Sequence, residues 1–332
     1  MKIKKRSATR VDLAGGTLDC WPLYLLVDGC VTVNLSINIF TEASIEERAD
    51  RRVEIHMRDL GYNKSFSDLS AVLECSDPEL KLVQKQLGHW KPAKGFRLET
   101  HSDSPVGGGL GGSSSLSISL IKAFSEWQGV KLGLYEAVTL SANLEAQVLH
   151  KMTGTQDYFP ALATGLNAIH YTPNGVRLET LPTQSEFWDG HLTLVYTGQP
   201  HHSGLNNWQV IKAALDGDSG TLRALAEIRT IAWDLYGAIR DGEWNALPDL
   251  FAREFDARVR LSSSFSSPEI ERLRMVALKS GAQAVKICGA GGGGCVFVWS
   301  HPDRKEGVES GCRAEGFQVL NAKAVIRDKN VE

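Results

Sequence analysis

An α+β protein of two domains is what this sequence predicts, and three observations predict it. The chain has 332 residues, against roughly 100–200 for one domain. Strand-like and helix-like segments are mixed along its length without strict β-α-β alternation, which favours partly antiparallel sheets. A polar stretch at 182–189 interrupts the pattern near the middle and reads as a linker, giving domains of 1–185 and 186–332. Hydrophobic residues make up 42% and charged residues 23%, an ordinary globular profile.

The elements follow in order. Residues 29–46 are rich in Val, Ile and Thr with polar residues alternating, the signal of a long strand with a bend. Residues 52–57 and 95–100 read as further strands. Residues 77–87 carry helical spacing that Gly88 should stop. A mostly apolar helix from Leu116 ends at Gly129, and a second covers 134–152, halted by Gly154. Strands are expected at 167–171 and 176–181. In the second half, 191–197 reads as a strand and 205–215 and 222–239 as helices. A helix at 267–280 opens on Ser267-Pro268. Strands at 284–287 and 295–299 flank a run of glycines from Gly289 to Gly294, and 317–322 closes the sheet.

Charge excludes several functions. Lys plus Arg total 36 and Asp plus Glu 39, a net charge of −3. No basic run follows Lys2, Lys4, Lys5 and Arg6, so neither a nucleic acid nor a membrane surface is indicated as partner. Asp12 and Asp19 interrupt what a signal peptide would need as a continuous apolar core. The apolar stretch 21–27 is far short of the ~20 residues of a membrane span. The six cysteines show no C-x-x-C pair and no zinc-like spacing, which fits reduced thiols in a cytoplasmic protein.

Residues 105–115 read Pro-Val-Gly-Gly-Gly-Leu-Gly-Gly-Ser-Ser-Ser. The string joins a strand to a helix, where free backbone N–H groups and the positive end of the helix dipole make an anion site. Ser113, Ser114 and Ser115 place hydroxyls at the first turn, able to cap the helix or to reach a phosphate-bound metal ion. Three motifs compete for the string. As a dinucleotide fingerprint it lacks the acidic residue expected ~20 positions on at a strand end. As a Walker loop it has Ser113 where the lysine belongs. The third pattern is Pro105-x-Gly107-x-Gly109-Leu110-Gly111-x-Ser113-Ser114, and here the chain resembles the GHMP kinases, the family of galactokinase, homoserine kinase, mevalonate kinase and phosphomevalonate kinase.

Two further motifs support that resemblance. Arg10-Val11-Asp12-Leu13-Ala14-Gly15-Gly16-Thr17-Leu18-Asp19 is similar to the family's opening motif, in the form found in fucokinases and heptose-phosphate kinases. Lys286-Ile287-Cys288-Gly289-Ala290-Gly291-Gly292-Gly293-Gly294-Cys295 is similar to its third motif. An aspartate in a glycine-bounded turn is often only a turn former, and a glycine run between strands is often only a hairpin. Three motifs in the family's order make coincidence a poor account. Thr17, Leu18, Trp21 and Gly112 depart from the common pattern, mostly beside the presumed sugar pocket.

The resemblance implies a ribosomal-protein-S5-like N-terminal domain and a ferredoxin-like C-terminal domain. It implies transfer of phosphate from ATP to a sugar or sugar-phosphate hydroxyl, the anomeric one in the nearest relatives, with Mg²⁺. It makes Asp157 the catalytic base and Arg10 its partner. Pro105, Gly107, Gly108, Gly109, Leu110, Gly111, Gly112, Ser113 and Ser114 then bind ATP, and Ser113 with Glu145 holds the metal. Asp19, Gly15, Gly16, His202, Asn206, Gly291 and Gly292 are expected at the substrate. Adjacent His201 and His202 do not share a helix face, so a metal pair there is not expected. The rival readings are another small alcohol as acceptor, or a non-catalytic sugar sensor on the same fold.

Overall fold

The computed structural model describes residues 1–200, 203–289 and 291–326, with the side chains of 203–206 excepted. Its strands are β1 Lys2–Ala14, β2 Cys30–Glu47, β3 Val53–Met57, β4 Tyr62–Phe66, β5 Phe96–Ser102, β6 Leu166–Thr172, β7 Gly175–Leu181, β8 Leu192–Tyr196, β9 Ala282–Ile287, β10 Cys295–Ser300 and β11 Gln318–Leu320. Its helices are α1 Leu23–Leu26, α2 Leu69–Leu73, α3 Lys81–Trp90, α4 Gly112–Gln128, α5 Leu134–Leu149, α6 Tyr158–Leu162, α7 Ser185–His191, α8 Ser203–Leu215, α9 Ser219–Asp241, α10 Leu247–Leu261, α11 Pro268–Lys279 and α12 Pro302–Ala314.

Two sheets organise these elements. The larger runs β4-β3-β5-β2-β6-β7 with β1 also paired to β2, and every pairing in it is antiparallel except β3 with β5. Strand β2 is its spine. It pairs with β6 through its first half and β5 through its second, while β1 accompanies both, with a register shift at Ala8/Thr9 that bends the pair. The smaller sheet, β11-β8-β10-β9, is antiparallel throughout. The α+β expectation therefore holds.

Helix α4 shows how the sheet positions the site. Ile118, Leu120, Ile121, Ala123 and Phe124 bury its apolar face. Serines at 115 and 119 let it approach β2 closely, where both hydroxyls bond the Thr41 hydroxyl at 2.8 and 3.0 Å. Gly129, in the left-handed region at φ 68°, ends the helix.

Several expectations need correction. Helix α3 passes through Gly88 to Trp90, because the buried Trp90 indole donates to Gln86 Oε1 at 3.1 Å and stacks on Phe124, and Lys91 makes the left-handed cap instead. Helix α5 stops at Leu149, short of Met152, since His150 takes φ 53°. The expected linker at 182–189 is largely helix α7, whose Trp188 is buried against Trp299 and Trp244. Helices α10 and α12 and strands β1 and β4 were not foreseen. Among the described residues no helix is long and apolar enough to cross a membrane.

Candidate active site

A cavity of about 380 Å³ lies where β1, the loop before α4, α5 and the loop before α6 meet α8, α10 and the end of β9. Part of its wall is a glycine cradle, the loop before α4. Gly107, Gly109 and Gly111 all take positive φ, at 64°, 73° and 71°, a backbone that turns successive N–H groups inward as an anion nest. The cradle is held from outside. The Leu110 carbonyl accepts from the Arg10 amide at 3.1 Å, and the Gly108 carbonyl accepts from the Cys295 amide at 2.7 Å. Gly111 occupies the N-cap of α4 with no side-chain capping bond, so the first N–H groups of α4 remain available to an anion.

The serines at this end do not cap the helix. Ser113 Oγ donates to Glu145 Oε1, and Ser114 Oγ donates to Oε2 at 2.9 Å. A third hydroxyl, Tyr158 Oη, donates to Oε2 at 2.6 Å. Burial raises the Glu145 pKa above its ordinary value, and the three hydroxyls act against that rise. A carboxylate desolvated in this way and surrounded by hydroxyl oxygens is a hard-oxygen donor set, of the kind magnesium takes from one or two protein groups plus phosphates. The residues present fit such an ion.

Asp157 stands at the N-terminus of α6 and makes no capping bond. Its Oδ1 accepts from Arg10 Nε at 2.8 Å and pairs with Arg10 Nη2 at 2.7 Å. Arg10 Nη1 donates to the carbonyls of Gly109 at 2.6 Å and Cys288 at 2.8 Å. One buried guanidinium thus ties together the nest, the base candidate and the end of β9. Burial opposes its charge, but Asp157 and Asp12 more than offset that and keep its pKa above the ordinary value. Gly111 must be glycine for this to fit, since a Cβ there would stand 3.1 Å from the Asp157 carboxyl.

Asp19 lies across the cavity, 4% exposed. Its Oδ2 accepts from the Gln156 amide at 3.0 Å. Burial, helped by the charge of Asp157, pushes its pKa up to about 6. Thr17 Oγ1 donates to Asn207 Oδ1 at 3.3 Å, bridging the opening motif to α8 at the cavity rim.

The cavity brings together Arg10, Asp19, Glu145, Asp157, Pro105, Gly107, Gly108, Gly109, Gly111, Gly112, Ser113 and Ser114 from the expected set. It does not include the others. Leu110 is fully buried and anchors the loop rather than facing a nucleotide. Gly15 and Gly16 do not line the cavity. They are glycine because a Cβ would stand 2.3 Å from the Val31 carbonyl oxygen or 2.2 Å from Asp12 Oδ2. Gly291 and Gly292 pack on the backbone of Phe265 and Ser264. His202 and the Asn206 side chain lie outside what the structure describes.

A buried cluster behind the cavity was not foreseen, and two of its members, Asp12 and Arg258, line it. Asp12, Glu254, Arg258 and Lys286, each no more than 1% exposed, form a buried charge quartet joining β1, α10 and β9. Lys286 Nζ lies 3.2 Å from Glu254 Oε2 and 3.5 Å from Asp12 Oδ2, and Arg258 Nη2 lies 3.2 Å from Asp12 Oδ2 and also binds Glu254 Oε1. The signal available was the spacing of Glu254 and Arg258, four residues apart on a helix with Leu247, Leu250, Phe251 and Leu261 on its buried side.

Comparison with known proteins gives the family. The sequence profile of the GHMP kinases N terminal domain matches residues 79–165, and that of the GHMP kinases C terminal domain matches 237–317, together half of the chain. The chain belongs to the GHMP kinases. It is 27% identical over 323 residues to the D-glycero-alpha-D-manno-heptose 7-phosphate kinase of Campylobacter jejuni, covering 94% of each chain. In fold it is similar to a D-glycero-D-manno-heptose 1-phosphate kinase from Bacteriodes thetaiotaomicron, with a TM-score of 0.78, 23% identity and coverage of 98% and 97%. It is similar also to Lactococcus lactis galactokinase, solved with galactose, with a TM-score of 0.80, 18% identity and coverage of 98% and 93%. As a GHMP kinase it is an ATP-dependent phosphotransferase, so the dinucleotide-fingerprint and Walker alternatives are set aside.

Proposed function

We propose that this GHMP kinase transfers the γ-phosphate of ATP to a sugar hydroxyl, with the anomeric hydroxyl as the preferred acceptor. The observation that carries the reading is Arg10, which holds Asp157 and the Gly109 carbonyl in one grip. A base placed beside a phosphate cradle is what in-line transfer to an alcohol requires. Asp157 takes the proton of the acceptor hydroxyl, and the Arg10 guanidinium holds its carboxylate in place beside the cradle. The backbone of 105–114 receives the phosphates. Ser113 and Glu145 hold Mg²⁺, which when bound neutralises phosphate charge. Asp19 accepts hydrogen bonds from sugar hydroxyls, a role its carboxylate suits better than binding an anionic alcohol. Residues 1–185 serve as the ATP-binding domain and 186–332 as the C-terminal domain, and the protein works in the cytoplasm.

The Campylobacter relative is a heptose 7-phosphate kinase, which supports a sugar or sugar phosphate as the acceptor class. Coupled ADP release over a panel of sugars and sugar phosphates tests this. Acceptor-dependent ADP formation that requires Mg²⁺ is expected. ATP binding with no acceptor-stimulated turnover on any of them would instead support the sensor reading.

A further inference from the structure

The phosphate chemistry leaves Arg258, a cation that lines the cavity, without a task. Helix α10 buries Leu247, Leu250, Phe251, Phe255 and Leu261, and the same face carries Glu254 and Arg258, one turn apart. Ionised groups in the interior need partners, and the quartet supplies them. Arg258 directs Nε and Nη2 at Glu254, and Nη2 also at Asp12. Lys286 completes the balance of two cations and two anions. Burial works against the Arg258 charge, but Glu254 and Asp12 outweigh it and raise its pKa.

The outer edge of the guanidinium remains. Nη1 has no hydrogen-bond partner among the described residues, and it is not one of the sealed polar atoms of the interior. Arg258 lines the cavity beside Thr17, Asp19 and Asn207. A guanidinium has five N–H donors in a fixed fork, and the two on Nη1 are unspent in a residue that lines the cavity. Asp19 stands close enough for its charge to act on Arg258, and its carboxylate presents acceptors to the same space.

We propose that Arg258 Nη1 is the donor of the acceptor site: it bonds the oxygen of one sugar hydroxyl while Asp19 accepts from the neighbouring hydroxyl, so that the pair reads a vicinal diol on an uncharged part of the sugar. This rests on the sugar-kinase reading and deepens it. A phosphate or carboxylate does not suit this end, because the Arg258 charge is already balanced by Asp12 and Glu254, while Asp19 and Asp157 would repel a second anion. Any anionic group of the acceptor lies outside this corner.

The test compares wild-type enzyme with Arg258→Lys, which keeps a positive charge for Asp12 and Glu254 but loses the second edge of the fork. Coupled ADP release is measured on D-mannose, D-galactose, D-glucuronate and D-mannose 6-phosphate, then on the 2-, 3- and 4-deoxy analogues of whichever is turned over. The acceptor KM of Arg258→Lys is expected to rise about 10- to 100-fold, the loss of one hydrogen bond to a charged group, with the KM for ATP nearly unchanged. One deoxy analogue should cost the wild type a similar factor and cost the variant nothing further. An unchanged acceptor KM, or two losses that simply multiply, overturns the assignment.

Should Arg258→Lys lack a melting transition, the deoxy series on wild type and Asp19→Asn decides. Two adjacent positions should each matter, and one of them should lose its effect in Asp19→Asn. A single sensitive position, or two that are not adjacent, refutes the diol reading. If the wild type turns over none of the four probes and no heptose 7-phosphate either, the sugar-kinase reading itself has failed and takes this assignment with it.

Discussion

Asp19→Asn should weaken acceptor binding about 10- to 100-fold and at the same time make the unliganded protein more stable at neutral pH. The carboxyl is buried, its pKa is pushed up to about 6 from an ordinary 3.8, and the main cause is desolvation, followed by the charge of Asp157. At ~1.36 kcal/mol per pKa unit, that difference corresponds to roughly 3 kcal/mol. The sign follows from proton binding. The folded state holds the proton more tightly than the unfolded chain, so this group favours folding below about pH 4 and loses that contribution as pH rises through about 6. At pH 8 the folded protein carries the whole cost of a buried, ionised carboxylate. Asparagine keeps an oxygen for the Gln156 amide and carries no charge. For a chain of this length, roughly 3 kcal/mol corresponds to a melting increase on the order of 4 °C. Thermal unfolding of both proteins from pH 4 to pH 8 measures it. The advantage of Asp19→Asn should be largest at pH 8, shrink through pH 6 and vanish near pH 4. A variant that melts lower than wild type at pH 8 would mean that the ionised Asp19 is well solvated or paired, and the reasoning would fail.

Four other outcomes are expected. Asp157→Asn should lower turnover by ~10²–10⁴ while ATP affinity, read by nucleotide-dependent thermal shift, stays near wild type; an equal loss of ATP binding would make the residue structural. Glu145→Gln should raise the half-saturating Mg²⁺ concentration in the kinase assay at least ~10-fold, and an unchanged Mg²⁺ titration would remove Glu145 from the metal site. Gly154→Ala would place a Cβ 2.1 Å from Asp19 Oδ2, so the acceptor KM should rise with the KM for ATP unaffected; an equal change in both would point to a wider disturbance. Lys286→Met leaves Asp12 and Glu254 short of a cation and should cost about 3–5 kcal/mol in urea unfolding, whereas a near-neutral result would mean that water already shares the quartet.

How much was legible in the sequence depended on whether a feature is local. The nest is local: its glycines, its proline and its serines are contiguous, so the order of residues alone places the loop. Arg10, Asp19, Glu145 and Asp157 needed the resemblance, because their meeting is set by β1, α5 and the loop before α6, far apart in the chain. Glycine is ambiguous. The runs at 15–16 and 289–294 suggested ligand contact; at Gly15, Gly16, Gly291 and Gly292 backbone or a carboxylate passes close, while Gly289 lines the cavity. A missing side chain reports that something is near and does not say what. The quartet was invisible for the opposite reason. Asp12, Glu254, Arg258 and Lys286 look like four unrelated surface charges until α10 and β9 are laid against β1. The linker failed on aromatic content, since Phe187 and Trp188 inside a polar stretch already carried enough apolar surface to seat α7 on Trp244 and Trp299.

The use of arginine at position 10 follows from the geometry rather than from charge. Its Nε and Nη2 meet one carboxylate oxygen of Asp157, and its Nη1 meets two backbone carbonyls, one from the nest and one from the end of β9. An ammonium would supply the charge for Asp157 but is a single point with three donors, and it could not span a carboxylate and two carbonyls lying in different directions. The consequence is functional. The Gly109 carbonyl belongs to the turn that shapes the cradle, Cys288 belongs to the motif that backs it, and Asp157 is the base in the proposed mechanism. Because one rigid plane fixes all three, the cradle and the base cannot drift apart independently, and a misplacement of one is transmitted to the other. Phosphoryl transfer is catalysed mainly by positioning and charge. A shared guanidinium therefore does more for this site than a stronger base would.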